Sequence, residues 1–401
     1  MRPWARARAF PFAGTDFWRL WFVGFAVFSV RWLETIAIGV FVYQRTGSAF
    51  IVAMLTMLRL LPMGLLGAFL GAAAEQMERR TALILVIVTM LATSSTLTLL
   101  AHFGALQVWH LALASLLNGL AWATDNPVRR VMLGEAAGAS RMGTAMSIDV
   151  GTNNASRMVG PTLGGMLLAG VGIEGVFAAG VAIYLGALAA AGGVRYRNPP
   201  AAAGTGSVLA RVAEGLHYIR REPRLIGTLL VTVIYNVFGW PFTSMVPVIG
   251  QDHLRLGAQG IGILASMDGI GAFAGAVLVA LLIGPRLYPL IYVGGVILYQ
   301  AMLILFAVAP GPGLAGVALL VTGLGGAGFA IMQTTLVYLA APPEMRSRVL
   351  GVLSVCIGVG PIGFVHLGWL AELVGAQAAT VTIGVEGLVA LALTRRWWKA
   401  I

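Results

Sequence analysis

The chain has 401 residues, of which 59% are hydrophobic and only 10% are charged, and its formal net charge is +11. Soluble domains carry about 25% charged residues, so this composition excludes a soluble enzyme, a disordered chain and a secreted disulfide scaffold. It predicts a polytopic membrane protein. The single cysteine, Cys356, excludes an internal disulfide, and no histidine pair has metal-binding spacing, so we expect no metal site.

Twelve apolar segments are long enough to cross a bilayer as helices, which takes about 20 residues each. In chain order they cover 18–43, 49–74, 81–101, 107–124, 142–170, 172–194, 225–248, 259–283, 288–309, 313–338, 347–369 and 375–394. The one long connection, 195–224, starts with a turn-prone stretch and continues as a basic amphipathic helix that we expect at the membrane surface. We predict an all-α integral membrane protein with an N-terminal six-helix bundle at 1–194, a cytoplasmic linker at 195–224 and a C-terminal six-helix bundle at 225–401.

The Arg and Lys residues support this count and set the orientation. With the N-terminus inside, 21 of the 26 basic residues fall on the inner side, Arg45 and Arg255 fall outside, and Arg31, Arg59 and Arg157 fall within spans. Because cytoplasmic loops carry the excess of Arg and Lys, we predict a multi-pass protein of the inner (plasma) membrane with both termini in the cytoplasm. Cations placed between apolar spans argue against nucleic-acid binding.

The two halves resemble each other at a nearly constant offset. GAFLG at 67–71 matches GAFAG at 271–275 with a shift of 204, and GP at 160–161 matches GP at 360–361 with a shift of 200. Parallel six-helix repeats are typical of transporters that bind substrate near the bilayer midplane. The offset therefore predicts two pseudo-symmetric bundles that superimpose about an axis normal to the membrane.

Six segments spread over nearly the whole chain carry longer motifs. They are VYQRTGSAF (42–50), RLLP (59–62), DNPVRR (125–130), SRMVGPTLGG (156–165), EGLHYIRREP (214–223) and PPEMRSRVLG (342–351). These segments resemble the major facilitator superfamily, and within it the drug and siderophore exporter branch that includes enterobactin exporters. The resemblance implies the twelve-helix fold of that superfamily and transport by alternating access, but it does not indicate the substrate.

Two features depart from the family pattern. The loop between spans 2 and 3 usually reads G-x-x-x-D-R-x-x-R-R in the family and latches the cytoplasmic side, whereas here it contains Glu75, Gln76, Arg79 and Arg80. The acid is one methylene longer and the central Arg is lost, so we expect a weak or rearranged latch. Many relatives carry an Asp in span 1 where this chain has Arg31, so coupling cannot run through that Asp here.

Ionisable residues inside spans are functional candidates, because a central charge costs about 2.5–3.5 kcal/mol. Arg31 and Glu34 lie three residues apart in span 1, can pair with each other, and are expected to line a central cavity. The pair either only fixes helix packing or acts as a switch, in which an anionic group takes Arg31 and frees Glu34 to bind a proton. The repeat places Asn236 opposite Arg31, and Arg59 in span 2 suits either an anionic substrate or a packing role.

Span 5 carries a polar stripe, with Asp149, Asn153 and Arg157 at i, i+4 and i+8. Asp149 and Arg157 are about 12 Å apart along the helix, so Arg157 needs a partner from another helix. Asp268 of span 8 is the candidate, either as a permanent ion pair between the halves or as a gate. Asp149 lies near the cytoplasmic end and is expected to stay hydrated in an inward-open form.

The far end of the same span is rich in glycine. Gly160, Pro161, Gly164 and Gly165 belong to GPTLGG, which resembles the antiporter motif of proton-driven exporters. Glycines let another helix approach closely, and the proline bends the span. Glu386 lies in span 12, which is peripheral in the superfamily, and His366 lies in span 11; both are interpreted as packing residues.

The leading hypothesis is a proton-coupled exporter of an amphiphilic or anionic small molecule, such as a drug, a siderophore or a similar metabolite. No catalytic or nucleotide-binding motif is present, so we expect no enzyme activity, no cofactor, and uphill transport driven by an ion gradient. The chain is expected to work as a monomer in the bilayer. Three intramembrane arginines leave open an organic-anion importer or facilitator, and the family leaves open a lysophospholipid transporter. A non-transporting sensor is disfavoured by the repeat.

Proton coupling requires a carboxylate that is protonated in one conformation and ionised in the other. Burial favours the protonated form of a carboxylate, and a nearby Arg favours the ionised form. A carboxylate that gains and loses an Arg partner as the halves rock therefore acts as a proton switch. Glu34 and Asp268 meet this description, and we assign substrate-linked protonation to Glu34 and the role of gate or switch to Asp268.

Overall fold

The computed structural model describes residues 14–75, 77–195 and 208–401, and these residues form helices and short connections without any strand. The helices before the linker are α1 (Thr15–Thr46), α2 (Ala49–Glu75), α3 (Arg79–His102), α4 (Val108–Ala137) and α5 (Met142–Gly193). The helices that follow are α6 (Val208–Ile219), α7 (Pro223–Ile234), α8 (Val246–Asp252), α9 (Ala258–Leu282), α10 (Tyr288–Val308), α11 (Pro312–Ala340), α12 (Arg346–Gly358), α13 (Gly360–Val374), α14 (Ala376–Leu393) and α15 (Arg395–Trp398).

These helices provide the twelve predicted spans. Ten helical stretches of the described chain are long and apolar enough to cross a membrane. One of them, α5, is broken at Gly172, which has a φ of +72°, a backbone conformation that glycine adopts without steric strain. The segments before and after Gly172 therefore count as two spans. The remaining span is α4, which is 30 residues long but carries Asp125, Arg129 and Arg130 in its second half. The all-α membrane fold predicted from the sequence is confirmed.

Span 7 is irregular. After α7 the backbone widens into a π-helix at Tyr235–Gly239, tightens into a 3₁₀-helix at Trp240–Ser244, and continues as α8. Pro241 and Pro247 lack the N–H that a regular helix would need. Because unpaired backbone groups are costly in hydrocarbon, the chain changes its hydrogen-bond spacing there and does not unwind.

Helix packing divides the spans into two groups. Before the linker, α1 and α3 pack on α5, and α2 packs on α4; after it, α9 and α10 pack on α11, and α10 packs on α14. Contacts between the groups come mainly from α5 with α9 and from α2 with α13. The domain boundaries at 194 and 224 and the superposition of the two halves stay predictions.

The two groups meet through glycines. A Cβ on Gly165 of α5 would lie 3.1 Å from the Cα of Gly262 in α9, and a Cβ on Gly368 of α13 would lie 2.9 Å from the Cβ of Ala53 in α2. Side chains of ordinary size would therefore force these helices apart. The small residues place backbone against backbone, which is how helices associate tightly in lipid.

The described contacts close the end of the molecule that is predicted to be extracellular. There, the Tyr43 hydroxyl donates to Asp252, and Ser48 Oγ donates to Glu372 Oε2 at 3.1 Å. At the opposite, predicted cytoplasmic end, Leu282 at the end of α9 is 69% exposed. The two contacts at Tyr43 and Ser48 therefore hold the groups of spans together at the predicted extracellular end.

We predict that Gly262→Val opens the closed end. Its Cβ would collide with the carbonyl oxygen of Pro161 and lie 3.1 Å from the Cα of Gly165, so α5 and α9 must separate. The measurement is the rate at which a short bifunctional thiol reagent crosslinks cysteines placed at Ser48 and Glu372 in a Cys356→Ala background. We expect a marked decrease in that rate.

Gly151→Val is the matched control, because Gly151 also lies in α5 but a Cβ placed there would meet no atom within 4 Å. It should leave the crosslinking rate unchanged. Equal rates in Gly262→Val and the parent would show that the α5–α9 contact does not hold this end closed.

Candidate functional site

Trp32 of α1 lies between two of the three arginines that the sequence places inside the membrane. The Cζ atom of Arg31 is 5.6 Å from the Trp32 ring centroid, and that of Arg157 is 5.5 Å from it. Trp32 Nε1 also donates to Asn153 Oδ1 at 3.2 Å. Arg31 in α1 and the polar stripe of α5 are thus neighbours around one aromatic ring, an arrangement that cation–π attraction favours.

Arg31 stacks more closely on a second ring. Its Cζ atom lies 3.6 Å from the ring centroid of Trp122 in α4. Within the described parts of the chain, no carboxylate pairs with Arg31 and no acceptor takes a hydrogen bond from its side chain, which is partly exposed. Guanidinium stacking uses the flat face of the group, so the N–H donors on its edge are unused by the protein.

Glu34 does not pair with Arg31, contrary to the interpretation of the sequence. Its Oε1 accepts a hydrogen bond from Ser94 Oγ of α3 at 3.1 Å, its Oε2 has no partner among the described atoms, and the residue is only 1% exposed. A spacing of three residues turns two side chains about 60° apart on a helix. Here Arg31 is directed toward α4, whereas Glu34 is directed toward α3 and toward Gly180 of α5. Glu34 is therefore enclosed inside its own half and does not line a cavity in this conformation.

Arg59 is tied to the backbone turn that carries Arg31. Its Nη1 donates to Thr35 Oγ1 at 2.9 Å, and Thr35 Oγ1 donates to the Arg31 carbonyl at 2.6 Å. Arg59 also borders a small cavity together with Thr56 and Ser115. The structure therefore brings Arg31 and Arg59 into one hydrogen-bonded unit, which the sequence did not indicate.

Arg157 and Asp268 form the expected ion pair between the two groups of helices. Arg157 Nη2 of α5 donates to Asp268 Oδ2 of α9, and the two side chains are 21% and 9% exposed. Neither Arg157 Nε nor Asp268 Oδ1 has a partner among the described atoms. A Cβ on the adjacent Gly269 would lie 2.5 Å from the Arg157 carbonyl oxygen, so the backbones touch where the charges meet.

Asp149 is paired and buried in this conformation, whereas the sequence predicts a hydrated Asp149 in an inward-open form. It accepts from Arg129, which is fully buried, and from Arg130 Nε at 2.9 Å, and is itself 1% exposed. Sequence reasoning ended span 4 at residue 124 and placed both arginines in a loop. In the structure α4 continues to Ala137 and carries them to α5.

The spacing of Asp125 and Arg129 was the signal for this longer helix. They lie at i and i+4, and Arg129 Nε donates to Asp125 Oδ2 at 3.1 Å. The guanidinium of Arg129 reaches α1 at Gly24, where a Cβ would lie 2.8 Å from Cζ. This network joins α1, α4 and α5 within one half.

The remaining predicted residues occupy packing positions. Asn236 Nδ2 donates to Thr232 O of its own helix at 2.8 Å, so it is not directed at Arg31. Gly160 and Gly164 lie against Trp32 and Leu33 of α1, whereas Gly165 and the Pro161 carbonyl lie against α9. The glycine-rich end of span 5 thus admits two helices, α1 and α9, where the sequence predicted one close approach.

The arginines of the loop motif bind within their own half. Arg79 Nη1 donates to both carboxylate oxygens of Glu135 at 2.8 Å, and Arg80 Nη2 donates to Gly192 O at 2.7 Å. The Glu75 side chain and Gln76 lie outside the described residues. Both described contacts are consistent with a rearranged latch.

His366 and Glu386 form a pair that sequence reasoning missed. His366 Nε2 of α13 and Glu386 Oε2 of α14 are 2.8 Å apart, and the side chains are 32% and 36% exposed. The two residues are 20 positions apart in different spans, so no spacing rule connects them. This pair lies in spans 11 and 12, whereas Arg31 lies in span 1.

The model of the Major Facilitator Superfamily matches residues 20–365. The chain belongs to this superfamily. Macrolide efflux protein A of Streptococcus pyogenes is 22% identical over 349 residues, which cover 85% of each chain. The Staphyloferrin A transporter of Staphylococcus aureus is 22% identical over 287 residues, which cover 71% of this chain and 70% of that protein.

The solved structures support the fold. A bacterial homolog of the human lysosomal transporter Spinster, in an inward-facing and unoccupied conformation, aligns with a TM-score of 0.74 over 96% of each chain at 13% identity. The superfamily resemblance seen in the sequence is confirmed. This chain is a multi-pass membrane transporter and not an enzyme.

We predict a strong energetic coupling between Arg157 and Asp268. Removing one partner of a buried ion pair costs about 3–5 kcal/mol, because the other charge is left uncompensated. Arg157→Ala and Asp268→Ala should each lower the thermal unfolding temperature. The double variant should lose much less than the sum of the two effects, as measured in a double-mutant cycle on detergent-solubilised protein. Additive losses would mean that the pair contributes nothing as a pair.

Proposed function

We propose that this transporter is a proton-coupled exporter of anionic or amphiphilic small molecules that works by alternating access. The observation that carries the proposal is Arg31, a partly exposed guanidinium in the middle of span 1 without a carboxylate partner among the described residues. A charge at that depth is costly unless it is compensated. An anionic group of the substrate would supply the missing acceptor.

The rings around Arg31 suit the rest of such a molecule. Trp122 and Trp32 present flat apolar surfaces next to the cation, and Arg157 and Arg59 add positive charge on both sides. Three arginines face two carboxylates, Glu34 and Asp268, in this region. An amphiphilic anion would gain both hydrogen bonds to Arg31 and contact with the indoles.

The conformation and the relatives support export. The described contacts close the predicted extracellular end, so in the proposed cycle a substrate reaches the site from the cytoplasm. Two proteins similar to this chain are named for macrolide efflux and for staphyloferrin A transport. In the proposed setting the protein lies in the inner membrane as a monomer with both termini in the cytoplasm.

Two carboxylates in opposite surroundings support proton coupling. Asp268 has Arg157 as a partner, whereas Glu34 has a serine hydroxyl and no cation within salt-bridge distance among the described residues. In the proposed cycle Glu34 carries the proton in this conformation and Asp268 does not. Rocking of the halves separates α5 from α9, releases Asp268 from Arg157, and so changes which carboxylate is protonated.

An importer or facilitator of organic anions is the second candidate, and the three arginines favour it equally. The site would bind the same class of molecule, and only the direction of coupling would differ. Proteoliposomes distinguish the two candidates, because an exporter exchanges substrate against protons, whereas an importer or facilitator moves substrate with protons or without them. Substrate movement in the same direction as protons would therefore favour the importer.

We predict that Arg31→Gln weakens transport of anionic amphiphiles. A charge-assisted hydrogen bond contributes about 1.5–3 kcal/mol, so KM should increase roughly 10- to 100-fold. The measurement is uptake by proteoliposomes of a panel of anionic, zwitterionic and cationic amphiphiles. Arg45→Gln removes an arginine at the predicted extracellular end of the same helix and should leave KM unchanged. A uniform loss over the whole panel would contradict an anion-binding role.

We predict that Glu34→Gln uncouples transport from protons. The amide imitates the permanently protonated acid, so accumulation driven by a pH gradient should cease, while counterflow exchange of substrate continues. Glu174→Gln is the control, since the Glu174 side chain is exposed and its carboxylate lies beside His102, away from both coupling candidates. Full pH-driven transport in both Glu34→Gln and Asp268→Asn would place coupling elsewhere or exclude it.

A further inference from the structure

Two basic segments that are far apart in the sequence lie side by side at the predicted cytoplasmic end. The start of α7 packs against α15, the short helix that follows span 12. At Gly227, a Cβ would lie 2.5 Å from the carbonyl oxygen of Trp397 and 3.0 Å from the Cα of Trp398. Residues 220–224 and 395–399 are therefore neighbours on one surface.

This surface carries six cations and one acid. The cations are exposed, and within the described chain none of their side chains forms a hydrogen bond or an ion pair; they are Arg220, Arg221, Arg224, Arg395, Arg396 and Lys399. The acid is Glu222, so six positive charges and one negative charge leave a local net charge of +5. We refer to residues 220–224 and 395–399 as the basic surface.

Tryptophans place the basic surface at the level of lipid headgroups. The Arg396 Cζ atom lies 3.7 Å from the Trp397 ring centroid, and Trp398 Nε1 donates to Leu391 O at 2.7 Å. Trp side chains concentrate at the boundary between hydrocarbon and water. The Trp398 indole is fixed to the end of span 12 and the Trp397 ring lies beside Arg396, so the α15 cations are held at that boundary.

An apolar surface continues from the cations into the membrane. Along α14, the outward side chains of Val385, Val389 and Leu393 are 46%, 50% and 75% exposed. They lie one turn apart and form a stripe that ends at Arg395 and Arg396. A molecule that covers both regions would have an anionic head and long apolar chains.

We propose that the basic surface binds an anionic phospholipid, with its phosphate among the α7 and α15 cations and its acyl chains along the α14 stripe. Basic residues at the cytoplasmic boundary of a membrane attract anionic headgroups, and Arg matches phosphate oxygens with paired N–H donors. This lipid stabilises the junction between the linker, span 7 and span 12. The site is separate from Arg31 and is independent of the transported substrate.

The test is the binding of a tail-labelled phosphatidylglycerol to the full-length protein in detergent micelles, measured by fluorescence polarisation. We expect saturable binding to the parent and weak binding of an equally labelled phosphatidylcholine. Arg395→Gln/Arg396→Gln should weaken phosphatidylglycerol binding about 30-fold, from the typical contribution of two interfacial arginines. Unlabelled glycerol 3-phosphate, which has the headgroup charge without chains, should not compete at equal concentration.

Two further variants separate a built site from general surface charge. Arg195→Gln/Arg286→Gln removes two exposed arginines from other places on the same predicted side and should change affinity by less than about 3-fold. Gly227→Ala keeps every charge but displaces α15 from α7, and it should weaken binding. Equal affinity in all variants, equal binding of phosphatidylcholine, or competition by glycerol 3-phosphate would each overturn the proposal.

Discussion

The ion pair between Arg157 and Asp268 is the constraint on which the rest of the structure depends. Hydrocarbon cannot hydrate a charge, so each of these residues needs the other, and they lie on opposite sides of the junction between the two groups of spans. For the side chains to meet, α5 and α9 must lie in backbone contact. The glycines at 165, 262 and 269 make that contact possible.

The same requirement accounts for the other charges in the membrane. Asp149 is compensated by Arg129 and Arg130 within one half, which stabilises α1, α4 and α5 as a unit. Arg31 differs because its guanidinium stacks on aromatic rings and has no carboxylate partner among the described residues. A charge that is compensated inside one half can stay paired while the halves move, whereas a charge paired across the junction responds to that movement. This distinction separates structural charges from the candidates for substrate binding and coupling.

The sequence predicts the fold well because its signals are local and repeated. The thickness of the bilayer sets the span lengths, and the orientation of the chain in it sets the distribution of Arg and Lys. Arg157 has no acid within reach on its own helix, so its partner must come from another helix. Faces of helices are harder to predict. Glu34 and Arg31 are close in sequence, yet the neighbours chosen by packing direct them to different helices. The full length of α4 was not predicted, because charged residues without visible partners are typical of a loop. The His366–Glu386 pair was not predicted, because it depends on a tertiary contact between spans 11 and 12.

The central claim is that rocking of the halves breaks the pair of Arg157 and Asp268 and exchanges which end is open. Spin labels at positions 143 and 282 report the predicted cytoplasmic end, and labels at 103 and 308 report the opposite end. Both distance distributions are measured in lipid nanodiscs by pulsed electron paramagnetic resonance. The protein carries Cys356→Ala and is compared with and without the Asp268→Asn substitution. Loss of the pair should shift the population so that the 103–308 distance lengthens and the 143–282 distance shortens. Distances that stay the same, or that change in the same direction at both ends, would contradict the account.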